Sequence, residues 1–372
     1  MKKFLDCISI VGATPSKFHG TKKYVSTGAV ATTEIDESEV VEVTYEDRPS
    51  RANLSAEAGD ILFAKMQGTR KTLLLDSETE ENIYSTGFYA VRANPEVITT
   101  ECLYYLIDSE LFLAQKDKNC SGATQKAITN GGMAKIEISV PALSEQGILV
   151  DKLKHLTQLI ADKKKQLNLF DEIIKSRFIE MFGDPVTNPL RWAMLPLEKC
   201  LTVLGGYAFK SEEFKTSGVP VLRIGNINTG AFTPTNMVYW SKDDCLTRYQ
   251  VLPGDLVISL TGTVGKDDYG NVCILGDAYP MYYLNQRNAK LILDGELNKH
   301  YLSELLKFSQ IKKKLTGISR GVRQANISNR DILNLVVPIP PIEIQVQFAA
   351  FIEQVDKSKY HGEFTCGMEV AA

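Results

Sequence analysis

The chain has 372 residues, 44% hydrophobic and 23% charged, the balance of a folded protein long enough for two domains. No run of about 18 apolar residues occurs, and Met1-Lys2-Lys3-Phe4-Leu5-Asp6 lacks the apolar stretch of an export signal, so neither a membrane span nor a cleaved leader is expected. Seven scattered cysteines without a C-x-x-C pair argue against a disulfide framework and fit a cytoplasmic location, and a net charge of -3 confines any nucleic-acid surface to local patches.

In chain order, residues 1–143 read as a mixed module. Ile61-Leu62-Phe63-Ala64 forms a strand, a helix lies near 101–115, and an apolar strand at 136–140 stops before Pro141. Residues 144–182 differ in kind. They hold no proline and one early glycine, and Leu149, Leu153, Leu156, Ile160, Leu167, Phe170, Ile174 and Met181 follow alternating steps of four and three, broken only where Lys163 and Arg177 take a seam position. That is a heptad seam, the pattern of a helix lying along another helix. Thirty-nine residues make a rod of about 58 Å, stopped by Gly183-Asp184-Pro185. Residues 183–340 repeat the mixed pattern, with strands at 219–224 and 255–260, a helix near 299–315 and a closing strand at 333–337. A second helix over 341–359 keeps the seam through Phe348, Ile352 and Val355; residues 360–372, with two glycines and no seam, read as a tail. At about 28 Å the second helix covers half of the first.

The two modules are copies. Cys7, Gly12 and Lys17 recur as Cys200, Gly205 and Lys210, each 193 positions on. Gly59-Asp60-Ile61-Leu62 recurs as Gly254-Asp255-Leu256-Val257, and the stretch from Pro141 to Gln146 as that from Pro340 to Gln345. Ordered matches with so small a drift indicate duplication. The expected fold class is α+β: two similar domains separated by a long coiled-coil helix, with a shorter second helix at the C-terminus.

No self-sufficient catalytic motif stands out. Gly262-Thr263-Val264-Gly265-Lys266-Asp267 falls short of a phosphate loop, which needs G-x-x-x-x-G-K-[ST]. Asp184-Pro185-Val186 and Asn188-Pro189-Leu190 lack the second proline and aromatic residue of an adenine-methylating loop. His19, His155, His300 and His361 fit no metal motif, and no G-x-S-x-G elbow occurs. No catalytic residue and no metal site is expected. Cations, by contrast, cluster. Residues 299–330 carry eight against Glu304 alone, and residues 116–135 carry four against Asp117. Both windows fall at the same place in the repeat and flank glycines, where backbone can approach a polyanion and Lys or Arg can displace its counterions. Gln324-Ala325-Asn326, beside Arg320 and Arg323, adds base-reading side chains to phosphate-binding ones.

Gly206-Tyr207-Ala208-Phe209-Lys210-Ser211, Val221-Leu222-Arg223-Ile224-Gly225-Asn226-Ile227, Pro253-Gly254-Asp255-Leu256 and Gln324-Ala325-Asn326-Ile327-Ser328, with Pro340-Pro341-Ile342-Glu343-Ile344-Gln345 opening the second helix, resemble the specificity subunit of type I restriction–modification systems. The likeness runs over nearly all of residues 1–358 and is weaker before Gly59, where Ala13-Thr14-Pro15-Ser16-Lys17 replaces the Tyr-Ala-Phe-Lys phrase. It implies two target-recognition domains (1–143 and 183–340), each reading part of a split, asymmetric double-stranded DNA site, and spacer helices that bind DNA methyltransferase subunits through Leu149, Leu153, Leu156, Ile160, Leu167, Phe170 and Ile174. A separate restriction and translocase subunit completes the complex. S-adenosylmethionine, ATP and magnesium then sit on partner subunits, and this chain binds no cofactor itself. On that reading Lys17, Lys65, Arg70 and Lys126 face DNA in the first domain, and Lys210, Arg223, Lys266, Arg320, Arg323 and Gln324 in the second. The rival readings are a coiled-coil protein scaffold and a stand-alone DNA-modifying enzyme; pairing of the chain with itself stays open.

Overall fold

The structure is a computed structural model describing residues 1–123, 125–227, 229–263, 268–317 and 324–369. It divides into two compact units, Met1–Lys163 and Lys164–Ala372. The division falls inside the long helix, so each unit includes part of it.

The first unit is built on two four-stranded sheets. One runs Ile8–Val11, Phe88–Ala93, Ile61–Ala64, Thr72–Leu74, antiparallel throughout. The other runs Val41–Val43, Lys22–Val25, Ile83–Ser85, Ala52–Leu54 and contains one parallel pair, between Lys22–Val25 and Ile83–Ser85. All four side chains of Ile61–Ala64 are buried. Ile61 and Phe63 face the core that includes Leu103 and Phe112 of the following helices, while Leu62 and Ala64 face a core shared with Val25 and Tyr84 of the other sheet. Burial on both faces explains why this strand reads as an unbroken apolar run, with no polar alternation.

The second unit has the same plan. Its sheets run Leu201–Gly205, Asn288–Leu293, Leu256–Ser259, Val272–Ile274 and Val238–Trp240, Val219–Leu222, Tyr282–Leu284, Gln250–Val251. The parallel pair recurs, between Val219–Leu222 and Tyr282–Leu284. So do the polar ties. Asp60 accepts from Glu57 N at 2.9 Å and pairs with Arg92 at 2.6 Å; Asp255 accepts from Leu252 N at 2.8 Å and pairs with Lys290 at 2.6 Å. The glycine before each aspartate has φ +86°, a turn that a side chain would strain. Gln146 accepts from Thr99 N and donates to Val97 O and Pro141 O. Gln345 likewise accepts from Asn298 N and donates to Glu296 O and Pro340 O. Both glutamines are fully buried. Each therefore locks the start of a long helix to the N-cap of a helix in its own unit.

The long helix spans Leu143–Phe182, 40 residues or about 60 Å. Val150 enters the first unit's core, and Ile174, Phe178 and Phe182 enter the second's. The distal helix, Ile342–Glu369, has 28 residues and extends ten past the predicted end at residue 359. The seam stops at Val355, but no proline follows it, and Gly362 and Gly367 cost only about 1 kcal/mol each relative to alanine. Residues 360–369 are thus helical and do not form the expected irregular tail. This helix runs antiparallel to the end of its predecessor: Phe348 packs edge-on against Phe178 and Phe182, and eleven residues on Lys359 pairs with Asp171 at 2.9 Å. Among the described residues, no helix is long and apolar enough to cross a membrane.

Candidate nucleic-acid interface

In the first unit the loop after Ile61–Ala64 crosses residues 126–128. Met66 bridges Ala127, Ile128 N donates to Lys65 O, and Gln67 N donates to Lys126 O, the two bonds each 2.9 Å. Lys65 and Lys126 are thereby brought to one crossing. Lys126 is exposed, with no side-chain partner among the described residues. Lys65 donates to Thr86 O at 2.9 Å and lies 4.3 Å from the Tyr89 ring centre; burial lowers its pKa. Arg70 does not present a free charge. Its guanidinium forks onto Asp108 at 3.1 and 2.8 Å and reaches Glu110 at 3.0 Å, and the Asp108 bond in particular raises its pKa. Lys17 stands 3.7 Å from Glu46, among the acidic residues of the N-terminal stretch.

The cationic windows contain a repeated exception. Lys116 is 2% exposed, and its ammonium donates to Ala64 O, Met66 O and Thr69 O at 3.3, 2.9 and 2.7 Å. Desolvation lowers its pKa. Lys312 is 7% exposed and donates to Asn271 Oδ1 at 2.6 Å. Both lysines brace the loop that follows the central strand of their unit, so each window loses one cation from its surface. Lys307 is further paired with Glu304 at 2.6 Å, and Lys299 donates to Gly254 O. What remains exposed and without an ion pair in the described windows is Lys118, Lys126 and Lys135 in the first unit and Lys313, Lys314 and Arg330 in the second.

In the second unit Thr261–Thr263 and Gln324–Asn326 form an antiparallel ribbon, with Thr263 opposite Gln324. Gly262 thus lies opposite Ala325 of the expected base-reading tripeptide. Lys266, Arg320, Arg323 and the Gln324 side chain lie outside the described residues. Lys210 is exposed and 3.2 Å from Glu213. Arg223 lines a cleft of about 560 Å³ with Phe209, Phe214, Asn226, Asn236 and Arg287. The phrases at 206–211 and 221–227 converge on it. Arg223 donates to Asn236 O at 2.6 Å, while Asn226 accepts from Arg223 N and donates to Thr233 O and Thr235 O, closing the loop. Arg287, which sequence reasoning missed, stands in the turn between Tyr282–Leu284 and Asn288–Leu293. No motif marks it; only the Asn285-Gln286-Arg287 run between two apolar strands could have drawn notice.

Fold and surface together define a class: tandem α+β modules, each leading into a long helix and each carrying cations where a loop leaves the central strand. The chain belongs to the family described as the type I restriction modification DNA specificity domain, which matches residues 10–169 and 189–361. It is 27% identical over 244 residues to the type I restriction enzyme MjaVIII specificity subunit of Methanocaldococcus jannaschii, covering 59% of this chain and 55% of that one. It is 27% identical over 188 residues to the EcoKI specificity subunit of Escherichia coli, covering 46% and 38%. The chain thus spans about half or less of these relatives' length. The crystal structure of a type I restriction–modification S subunit from M. genitalium shares the fold, with a TM-score of 0.53 at 12% identity over 98% of this chain and 91% of that one.

Proposed function

We propose that this chain is the non-catalytic, sequence-reading subunit of a type I restriction–modification complex in the cytoplasm. Each unit reads one part of a bipartite double-stranded DNA site. The long helices dock DNA methyltransferase subunits, and a restriction and translocase subunit joins them. S-adenosylmethionine, ATP and magnesium act on those partners. The observation that carries this reading is the duplication: one sheet plan, one set of buried polar ties and one helix start, built twice within a chain of this family. A split site needs two readers of like architecture and unlike surface. Along the helix, Phe170 packs against and Ile174 lies within the second unit's core, Leu153 is half-buried, and Leu149, Leu156, Ile160 and Leu167 stay exposed, available to a partner.

Mapping methylated adenines in a host carrying this chain and its methyltransferase tests the reading. A bipartite motif that changes in one half when residues 183–340 are exchanged is expected. Methylation or cleavage by the purified chain alone, given DNA, magnesium and S-adenosylmethionine, would establish an enzyme instead. Absence of DNA binding with retained capture of a protein through residues 144–182 would establish a scaffold.

A further inference from the structure

We infer that Arg287 is a specificity-determining residue of the second unit, reading a guanine in its half of the DNA site, with Arg223 as a positioning residue in the same cleft. The inference rests on the DNA-reading function proposed above and goes beyond it by naming the residue and the base. Three observations carry it.

The first is electrostatic. The cleft of about 560 Å³ is lined by two arginines, three asparagines, a glutamine and two phenylalanines, with no carboxylate. Most of the other cations singled out in the described regions are neutralised or bound: Arg70 by Asp108, Lys210 by Glu213, Lys17 by Glu46, Lys65 by a carbonyl. Arg287 is exposed, with no ion pair or side-chain hydrogen bond among the described residues. Two like charges facing one cleft repel until an electron-rich group enters. The second is geometric. Arg223 is fixed by Asn236 O and by its own turn, and its Nε is buried without a partner among the described residues. One wall of the cleft is thus rigid, and the planar fork of Arg287 is the free element. The third is the internal comparison. Val25 pairs with Tyr84 as Leu222 pairs with Leu284, so Ser26 occupies the place of Arg223. Phe88 pairs with Ala64 as Asn288 pairs with Ser259, so Gly87 occupies the place of Arg287. A Cβ at Gly87 would stand 2.9 Å from Thr27 Cγ2. The turn-closing aspartate and the buried glutamine clamp are the same in both units, and these two positions are not. A residue that discriminates between half-sites has to differ where the frame is shared. The exposed amide of Gln286 beside Arg287 also suits a base edge, and a guanidinium matches guanine O6 and N7 with two parallel bonds.

The test is adenine-methylation mapping with the full chain and its methyltransferase, comparing wild type, Arg287→Ala and Arg287→Lys, with melting curves to check that each variant folds. The expected result is a wild-type bipartite motif in which one guanine position becomes degenerate in both variants. Discrimination there should fall by about tenfold to a hundredfold, with the other half-site unchanged. An unchanged motif, or methylation lowered evenly at every site as a phosphate contact would give, overturns the inference and leaves the DNA-reading function standing. A wild type that yields no bipartite motif overturns both.

Discussion

At equivalent places on equivalent sheets, the first unit presents Ser26 and Gly87 and the second presents Arg223 and Arg287. Beneath those positions the units agree closely: Asp60 and Asp255 hold the same turn, Lys116 and Lys312 brace the same loop, and Gln146 and Gln345 lock the same helix start. The difference also extends across the second sheet. In the first unit its strands carry Lys22 and Lys23, paired with Glu81 and Glu37. In the second unit the matching region packs Phe209, Phe214, Trp240 and Tyr283 ring against ring. Duplication thus preserved what is buried and polar and let the exposed ends diverge. A buried polar group costs free energy as soon as its partner is lost, whereas an exposed one does not.

That contrast can be broken by experiment. Lys116→Met strips the ammonium from three carbonyls and should destabilise the first unit by about 3 kcal/mol or more. Native-state hydrogen exchange should show protection lost around residues 64–71, with the second unit unaffected. Gln146→Ala and Gln345→Ala each remove three buried bonds and should cost about 2 kcal/mol apiece in urea melts; a twofold disparity would mean that the helix starts are not equivalent. On the surface, Lys126→Ala should reduce the salt slope of DNA binding by about 1, while Arg70→Ala, whose charge is already spent on Asp108 and Glu110, should leave the slope unchanged. The smallest effect concerns pH. Burial, reinforced by Lys299, lowers the pKa of His300 against the opposing pull of Glu353 and Asp356. The unfolded chain then binds the proton more readily than the folded one. The second unit should therefore lose a little stability as pH falls from about 7.5 through the ordinary histidine pKa near 6.5, an effect that urea midpoints at several pH values would detect and His300→Gln would abolish.

Much of the frame was legible in the sequence. The repeat was visible because glycine, aspartate and glutamine recur at near-constant spacing, and each now has a physical reason: a positive-φ turn, a carboxylate that closes it, and a carboxamide clamp. The central helix was legible from its heptad seam to within one residue. The lysine windows misled, because a charge run reads as solvated surface. Yet Phe308, Ile311, Lys312 and Leu315 fall on one helical face, and Phe112 precedes Lys116 by four positions. A lysine inside an apolar stripe signals a buried ammonium with carbonyl partners, a signal that periodicity alone could have supplied. Arg287 was beyond reach because its meaning depends on Arg223, 64 positions earlier, and only the parallel pairing of two strands brings those loops together.

The glutamine clamps have a consequence for inheritance. Gln146 closes entirely on groups of the first unit, and Gln345 on groups of the second. Between Val150 and Phe170, where packing against the second core begins, the long helix buries no side chain in either core. A genetic crossover anywhere in that stretch would cut no buried contact and would pass on an intact core with its own lock. The stretch is a natural seam for shuffling, so one half of the molecule can be replaced wholesale while its neighbour keeps folding as before.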